Sequence, residues 1–499
     1  MGEYEMPLFV RTGDLRVEPY EVVRLFDVKI IQKLNEHGML YFKGLLSEES
    51  KDSYAEIETE GANVKLSSVS EEGEEHVLFQ GVVKDVKVHA EQDTYYIEVH
   101  AVSYSKLLDV KRKSRSFQDK KSTYTSLAEQ VTADYDGGAV IDVVTEGAPT
   151  GKFIMQHRET DWEFLKRLAS RFNTGLVCDV RFDSPKYYFG VPEIQTIELE
   201  NINYTVKKDM LRFKELSENG VEGLSENDFI CYEVMTERIT GIGDLVTFQG
   251  KELYVFEIIS VAGDGLLENY LVLTPKKGLS QPCLPNTGVV GASYGGHIIE
   301  VKNDQVKVTL DTDAGHDPGT PCFFPYSTIY SSADGSGWYC MPEIGDTVRI
   351  YFPDGEEDHA YAISSVHEQV DQDKLEESNG KGGASNNMRA AGSPGGKYSG
   401  KRDDPSVKSL RNKEGKEIRL TPDGIYIIAD GTIITLTEEG VLIMTENNIE
   451  FNSKKNIILS AEDDVNIIGN NGVDLICSET TSIKLNDNVQ MVGQEVMAN

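Results

Sequence analysis

Residues 424–477 read GIYIIADGTIITLTEEGVLIMTENNIEFNSKKNIILSAEDDVNIIGNNGVDLIC, and apolar side chains return there every eight residues. The pattern continues to Met491 and covers nine octads, with apolar residues at most of positions one and three. β-Branched residues two apart predict short strands, and the Gly, Asn, Asp or Thr before each pair predicts a turn. Short strands at a fixed period predict a β-solenoid. Its apolar positions are Ile425, Ile427, Ile433, Val441, Ile443, Ile449, Phe451, Ile457, Leu459, Val465, Ile467, Val473, Leu475, Ile483, Val489 and Met491.

The octads stack in one of two ways. In the first, a single chain winds around itself with three octads to a coil, which gives a stub of roughly 14 Å at the usual strand spacing. In the second, three chains wind together and rise by one strand spacing per octad, which gives a shaft of roughly 40 Å. The second arrangement leaves no free sheet edge along the shaft, and the pattern favours it.

Charge and composition limit the classes of function. Lys and Arg number 49 against 83 Asp and Glu, for a net charge of −34. Such a surface repels phosphate backbones and anionic lipid, so no nucleic-acid partner is expected. The N-terminus has no apolar run of signal-peptide length, and we expect synthesis in the cytoplasm and export by a non-classical route. The six scattered cysteines are expected to be free thiols.

A polar linker precedes the repeat. Residues 371–406 are rich in Gly, Ser, Asn and charge and hold almost no large apolar side chain. We place the linker at residues 371–410 and the octad needle at residues 411–499. The linker is too short for an inserted enzyme domain. No histidine follows His367, so the needle has no imidazole with which to hold a metal at its tip. No metal or cofactor is predicted.

Residues 283–370 alternate like five or six short strands with Gly, Pro and Asp turns, which predicts a small closed barrel of OB type. The stretch Met341-Pro-Glu-Ile-Gly-Asp-x-Val348 and the later Phe352-x-x-Gly355 resemble the barrel of contractile phage tail spikes. The same barrel occurs in VgrG proteins (valine-glycine repeat protein G) of injection machines. The resemblance is more specific here because a linker and an octad repeat follow it.

The N-terminal half, residues 1–282, has strand patterns of two barrels, at about 1–105 and 200–282, with an α/β insertion at about 106–199. Within the insertion, Thr160-Asp-Trp-Glu163 is a capping box that predicts a helix start. Residues 151–180, GKFIMQHRETDWEFLKRLASRFNTGLVCDV, resemble the strand-helix-strand signature of phage tail hubs and VgrG proteins. Residues 100–119 resemble the segment that precedes this signature in the family.

The resemblance covers nearly the whole chain and implies a fold, partners and a location. The implied fold is mainly β with a minor α/β part: β-barrel hub domains, an OB-type barrel and a C-terminal triple-stranded intertwined β-helix. The implied assembly is a homotrimer that presents six hub barrels to a hexameric tail-tube protein and also contacts baseplate proteins. A PAAR-type tip protein and a toxin cargo are further candidate partners. The particle would act outside the cell, and the target membrane or wall would be met only transiently.

The sequence has no HExxH, GxSxG, P-loop or GxGxxG motif in a suitable context. His157, His297, His316 and His359 are expected to be solvated surface residues. Lys111, Arg112, Lys113 and Arg115 form a short basic run, which we interpret as a solvated loop or, alternatively, as a contact with an acidic tube or baseplate partner.

Three classes of function remain. The first is a structural protein that adapts a hexameric tube to a threefold needle and punctures the target envelope; it is not an enzyme. The second is a receptor-binding fibre or adhesin, which predicts a receptor domain after the shaft, where the sequence has none. The third is a cell-wall hydrolase, which predicts a cleft with perturbed carboxylates in the hub. The motifs favour the first.

Overall fold

The computed structural model describes residues 9–47, 62–92, 94–200, 202–262, 265–330, 340–364, 406–412, 414–471 and 473. The chain divides into two compact units, Met1–His367 and Glu368–Asn499, each of which is described by itself. Strands far outnumber helices in the described residues. The prediction of a mainly β protein with a minor α/β part is confirmed.

The first barrel is an antiparallel sheet whose side chains alternate between core and solvent. In MLYFKGLL, for example, every second residue is buried, as expected for a strand with one covered face. Phe42, Leu66 and Phe79 are completely buried at its centre. Its strands are β1 (Leu15–Glu18), β2 (Val22–Lys33), β3 (Met39–Leu46), β4 (Asn63–Val69), β5 (Glu75–Glu91) and β6 (Thr94–Ser103). They neighbour one another in the order β1-β4-β5-β6-β3-β2.

The α/β insertion packs two helices around their own core. The predicted capping box is present: Glu163 N donates to Thr160 Oγ1 at 3.1 Å, and Thr160 N donates to Glu163 Oε2 at 3.0 Å. Trp162 and Phe164 of that helix are almost completely buried. The elements are β7 (Arg112–Phe117), α1 (Tyr124–Thr132), β8 (Ala139–Asp142), β9 (Ile154–Thr160), α2 (Asp161–Ser170), β10 (Leu176–Val177) and β11 (Lys186–Phe189).

The second barrel begins inside the range expected for the insertion. Its elements are β12 (Thr196–Leu199), β13 (Tyr204–Lys208), α3 (Met210–Glu218), β14 (Ile230–Thr236), β15 (Leu245–Phe248), β16 (Lys251–Ala262) and β17 (Leu267–Thr274). Strand β12 pairs in parallel with β15 and so belongs to the second barrel. The insertion therefore ends before β12, and the expected boundary near residue 199 is wrong. Strand β16 pairs with β2 of the first barrel. One sheet of 12 strands therefore runs through both barrels.

The third barrel is a five-stranded sheet made of β18 (Ser293–Lys302), β19 (Gln305–Leu310), β20 (Phe323–Pro325), β21 (Thr347–Tyr351) and β22 (Tyr361–Ile363). A parallel bridge between Tyr326 and Ala362 joins its two ends and closes it. Its core also takes Phe153 and Met155, which are buried and come from the insertion. This five-stranded sheet lies within residues 283–370, and residues outside that range complete its core.

The described part of the second unit is an antiparallel meander. Its strands are β23 (Lys408–Arg411), β24 (Glu417–Thr421), β25 (Gly424–Ala429), β26 (Thr432–Thr437) and β27 (Gly440–Thr445). The last three begin at the predicted interval of eight residues, six in a strand and two in a turn. Gly431 supplies the positive φ, +67°, of one turn. These first octads pair within one chain, which differs from both windings considered from the sequence.

Candidate assembly surfaces

The meander exposes two rows of aliphatic side chains on one face, beside the paired hydroxyls of Thr432 and Thr445. Ile425 pairs with Leu436 and Leu436 with Val441, so all three lie on one side of the sheet. Ile427, Ile434 and Ile443 form the next row on that side. We call this set, with Ile418 and Leu420 of the preceding strand, the aliphatic face. Ile425 and Ile427 are 41% and 42% exposed, and Val441 is 69% exposed. A sheet face of this composition is normally covered.

The turns place alternate octads on opposite faces. Across the two-residue hairpin, residue 428 pairs with residue 433. Even-numbered residues of one strand therefore share a face with odd-numbered residues of the next strand. Ile433 therefore lies on the opposite side from Ile425 and Ile427, although all were expected in one row. Val441 and Ile443 return to the aliphatic face after the second reversal. A wound solenoid would keep every octad in the same orientation, because its strands never reverse.

The opposite face carries more polar side chains, although Leu442 and Met444 are 47% and 39% exposed there. Tyr426 and Thr435 are 3% and 4% exposed there. Glu417 accepts two hydrogen bonds from the guanidinium of Arg419, at 2.8 and 2.5 Å, and both side chains are buried. Buried charges need partners of this kind. The buried charges of the opposite face are thus paired within the chain, whereas the aliphatic face needs an apolar surface to cover it.

The described residues after Thr445, that is 446–471 and 473, form no strand. Their octad side chains are all strongly exposed: Ile449, Phe451, Ile457, Leu459, Val465, Ile467 and Val473 range from 48% to 70%. Leu475, Ile483, Val489 and Met491 lie outside the described residues. The intertwined β-helix therefore remains a prediction.

A buried ionic clamp fixes the third barrel to the insertion. Arg167 of α2 donates to Glu357 at 2.6 Å and to Glu159 at 2.8 Å. Arg171, one turn later, donates to the second oxygen of Glu357 at 3.0 Å. Asn286 completes the shell around Glu357 at 3.1 Å. The side chains of Arg167 and Glu357 are only 4% and 2% exposed. A buried ion pair of this kind is held firmly while all its partners are present. Removal of one partner leaves an unpaired buried charge, which destabilises the fold.

A second contact lies between β7 and the third barrel. Asp313 accepts from the backbone N–H of Ser116 at 2.7 Å and from its hydroxyl at 2.6 Å. His316 Nε2 lies 2.9 Å from the carbonyl oxygen of Ser116. Burial raises the pKa of Asp313 and lowers the pKa of His316. His157, also half-buried, hydrogen-bonds to the hydroxyl of Tyr294 at 2.5 Å. The barrel and the insertion therefore share both a core and a polar interface.

These contacts correct two expectations about single residues. His157 and His316 are interface residues rather than solvated ones, whereas His297 and His359 are exposed. The basic run is neither a free loop nor a docking patch, because most of it is paired inside the insertion. Arg115 donates to completely buried Asp161 at 2.7 Å, and Lys113 donates to the same carboxylate at 2.7 Å. Only Lys111 of the run makes no described ion pair.

One cluster has the composition of a hydrolytic triad. His37 Nδ1 lies 2.8 Å from Ser105 Oγ, and His37 Nε2 lies 3.3 Å from Asp109 Oδ2. Ser105 is only 2% exposed, however, so a substrate has no access to the hydroxyl. Burial against Trp162, 4.6 Å away between ring centroids, lowers the pKa of His37 to about 4. A neutral, enclosed imidazole joins the first barrel to the insertion and is a poor general base at neutral pH.

Metal, thiol and membrane features are limited in the described residues. They hold no group of three or more His, Cys, Asp or Glu arranged for a metal ion. Cys178, Cys231, Cys283, Cys322 and Cys340 are free, as predicted, and Cys477 lies outside the described part. None of the described helices is both long and apolar enough to cross a membrane.

The comparison with protein families matches residues 50–181 to the phage tail baseplate hub (GPD) family. This range contains the two hub stretches, 100–119 and 151–180, that carry part of the sequence resemblance. It covers roughly a quarter of the chain. No curated protein matches the sequence.

Solved structures extend the likeness. The E. coli c3393 protein is described as a component of the type VI secretion system with structural similarity to the T4 bacteriophage tail proteins gp27 and gp5. It matches with a TM-score of 0.52 and 15% identity, over 71% of this chain and 99% of its own. A chain of the half-lidded Francisella PdpA–VgrG complex matches over 87% of this chain and 88% of its own length, at 8% identity and a TM-score of 0.47. A 43 kDa tail protein of the Shewanella oneidensis prophage MuSo2 matches over 56% and 99%, at 14% identity and a TM-score of 0.42. The predicted resemblance to tail hub-spike and VgrG proteins is confirmed at the level of fold.

Sequence reasoning missed the clamp and the division of the meander into two faces. Arg167 and Arg171 stand at i and i+4 on a helix whose other face is apolar, which is a detectable signal for one shared acidic partner. Glu357 lies between two other acidic residues in GEEDHA, residues 355–360, and the sequence does not single it out. The alternation of octads depends on how the turns pair, which the repeat itself does not specify.

Proposed function

We propose that this chain is the homotrimeric hub and spike of a contractile injection particle, of the phage-tail, tailocin or secretion type. The three hubs adapt a hexameric tail tube to a threefold needle, and the needle punctures the target envelope when the particle contracts. Baseplate proteins hold the hub, and a PAAR-type protein caps the tip and brings a toxin cargo. The chain itself performs no catalysis. It reaches the outside as part of the particle.

The aliphatic face and the exposed octads after it are the observation that supports this proposal. Burying one aliphatic side chain contributes about 1.5–3 kcal/mol, and a dozen or more such side chains are exposed on one chain. Three copies related by a threefold axis give each aliphatic face an identical partner surface and remove the free sheet edges. The twelve Asp and Glu after Gly424 keep the outer surface hydrated.

The clamp fixes the third barrel, which precedes the linker in the chain, to the insertion. Force on the needle during contraction passes through the third barrel, whose core and ion pairs are shared with the insertion. A third barrel joined to the insertion only through the covalent chain would rotate relative to it under such a force. The buried Arg167–Glu357 pair and the buried Phe153 resist such rotation, because any displacement exposes an unpaired charge and an aromatic ring.

The two alternatives have less support. For a hydrolase, the described residues offer the His37 cluster, whose hydroxyl is enclosed. For a receptor-binding fibre, every feature of the described residues that would support it is also accounted for by the spike proposal.

Electron microscopy of the purified full-length chain tests the proposal. Class averages are expected to show a ring with threefold symmetry and a needle of roughly 40 Å, one strand spacing per octad. A chain carrying Ile443→Asp should keep the hub and lose the ordered needle, whereas Glu438→Gln, a change in an exposed turn, should keep both. Averages without threefold symmetry would contradict the proposal.

A further inference from the structure

A row of apolar side chains crosses the outer face of the sheet that joins the first two barrels. The pairings Val102↔Met39, Met39↔Ile31 and Ile31↔Ile259 carry it from the first barrel to the second. The pairings Ile259↔Tyr270 and Tyr270↔Met235 continue it. Directly paired residues point to the same side of a sheet, so the row is continuous. We call these six residues the hub stripe.

The hub stripe lies on the solvent side. The residues next to it along the strands, such as Ile30, Leu40 and Leu271, point into the barrel cores and are at most 3% exposed. Met39, Tyr270 and Met235 are 42%, 45% and 41% exposed. An exposed Met or Tyr alone needs no explanation, but these three lie in one apolar row with Val102, Ile31 and Ile259, which are half-buried. Met is common on surfaces that take helical partners because it adapts its shape.

The charges that flank the stripe differ between the two barrels. Over the first barrel, a cleft of about 360 Å³ is lined by Ile31, Met39 and Val102 with Lys29, Lys84 and His100 around them. Lys84 sits where the β5–β6 register shifts, between Val83 and Asp85, and a bulge of this kind re-aims a side chain. Lys29 and Lys84 make no ion pair with any described residue, in a chain whose net charge is −34. The first half of the stripe therefore attracts carboxylates.

Over the second barrel, the flanking residues carry both signs of charge, because Lys207 and Arg212 line the same cleft as Glu233 and Glu257. Glu257 and Glu233 both pair with Val272 of β17, one row beside the stripe. Lys33 neutralises Glu257 only in part, at 3.7 Å. A larger cleft of about 710 Å³ opens beside this half. A ligand that fits the whole stripe is apolar along its length and acidic at the end over Lys29 and Lys84.

The geometry selects a helix as the bound segment. The backbone N–H and C=O groups of the strands under the stripe are already hydrogen-bonded to neighbouring strands. An extended peptide laid across them would therefore have no backbone groups to pair with. A helix satisfies its own backbone. The distance from Val102 to Met235 is five strand spacings, about 24 Å, which equals about sixteen helical residues. One helical stripe of leucines or methionines is as wide as a single row of the sheet.

We propose that the hub stripe binds an amphipathic helix of a partner protein, with the acidic end of that helix over Lys29 and Lys84. This inference goes beyond the proposed function, because it concerns the outer sheet of the hub barrels and not the needle. A cargo or baseplate protein with such a helix would dock on the hub independently of the needle.

Binding of a synthetic peptide to the purified full-length chain tests the inference. The probe is a helical peptide of about sixteen residues, with leucines at helical spacing, glutamates in one half and glutamines in the other. Its binding is followed by fluorescence anisotropy. A scrambled peptide of the same composition is the control ligand. The probe is expected to bind at least about tenfold more tightly than the scrambled peptide. Equal binding, or none, overturns the inference.

Variants locate the site. Met39→Asp and the double change Lys29→Glu with Lys84→Glu should each weaken binding by about tenfold. Lys111→Glu, at another exposed lysine that lies on the insertion, should not. A second peptide with lysine in place of every glutamate should bind the double variant better than it binds the wild type. All variants should retain the wild-type circular dichroism. Unchanged affinity in Met39→Asp, or no recovery with the lysine peptide, would place the peptide elsewhere and refute the proposal.

Discussion

The enclosed His37 makes stability depend on pH in a direction that can be calculated. Its pKa is lowered from 6.5 to about 4, first by burial, with the nearby lysines opposing protonation and Asp109 favouring it. The unfolded chain therefore binds more protons than the folded chain between these two values, so stability falls as the pH is lowered through this window. The full difference corresponds to about 3 kcal/mol.

The magnitude can be followed step by step. Relative to neutral pH, linkage gives a loss of about 1 kcal/mol near pH 5.5 and about 2 kcal/mol near pH 4.5. Carboxylates elsewhere also titrate in this range, so the wild type alone does not report on His37. The difference between the wild type and His37→Gln cancels their shared contribution.

Urea unfolding followed by the fluorescence of Trp162 is the assay, because that indole packs against His37. Trp338, the other tryptophan of the chain, is replaced by Phe in both proteins. The stability advantage of the wild-type histidine over the His37→Gln variant should shrink by about 2 kcal/mol from neutral pH to about pH 4.5. A constant advantage would refute the reasoning. A change centred near pH 6.5 or above would show an open, titrating imidazole of the kind that a general base needs.

Further predictions concern the clamp, the basic run and the needle. Glu357→Ala leaves Arg167 buried beside an empty partner and should cost about 3–5 kcal/mol by chemical denaturation, whereas Glu356→Ala in the exposed neighbouring position should cost less than about 1 kcal/mol; equal costs would show that the clamp is not buried in solution. Arg115→Ala should lower stability by about 2 kcal/mol or more while Lys111→Ala changes it by less than about 0.5 kcal/mol, and the reverse order would restore the docking interpretation of the basic run. Ile427→Asp should convert the full-length chain to smaller species on a sizing column and Glu439→Gln should not; a stable assembly with Ile427→Asp would show that the aliphatic face is not an interface.

The sequence was most informative where a pattern repeats or a local rule applies. The capping box at Thr160 and Glu163 follows from short-range hydrogen bonding, and the structure has both bonds. The interval of eight in the first octads follows from strand length plus turn length. The fold of the hub could be predicted because its signature combines a strand, a capped helix and a second strand within thirty residues.

Interactions between distant segments were not predictable in the same way. The partners Arg167 and Glu357 stand 190 residues apart, and Phe153 completes a barrel that begins more than a hundred residues later. Nothing in the local pattern around Glu357 distinguishes it from its acidic neighbours. The hub stripe likewise becomes visible only through register, since its six members come from six strands.

The orientation of the octads depends on turn chemistry rather than on hydrophobic period. Two-residue turns reverse each strand and send Ile433 to the face opposite Ile425. A repeat that winds around an axis would place both on one side. Both arrangements satisfy the same period of eight, so periodicity alone could not separate them.

The mass of the full-length chain in solution tests the central claim most directly. Light scattering should give about three times 55.5 kDa, and a chain ending at Val370 should give a smaller or concentration-dependent mass, because the aliphatic face and the octads are then absent. A full-length chain that stays at the mass of one copy at every concentration would contradict the trimeric hub-spike.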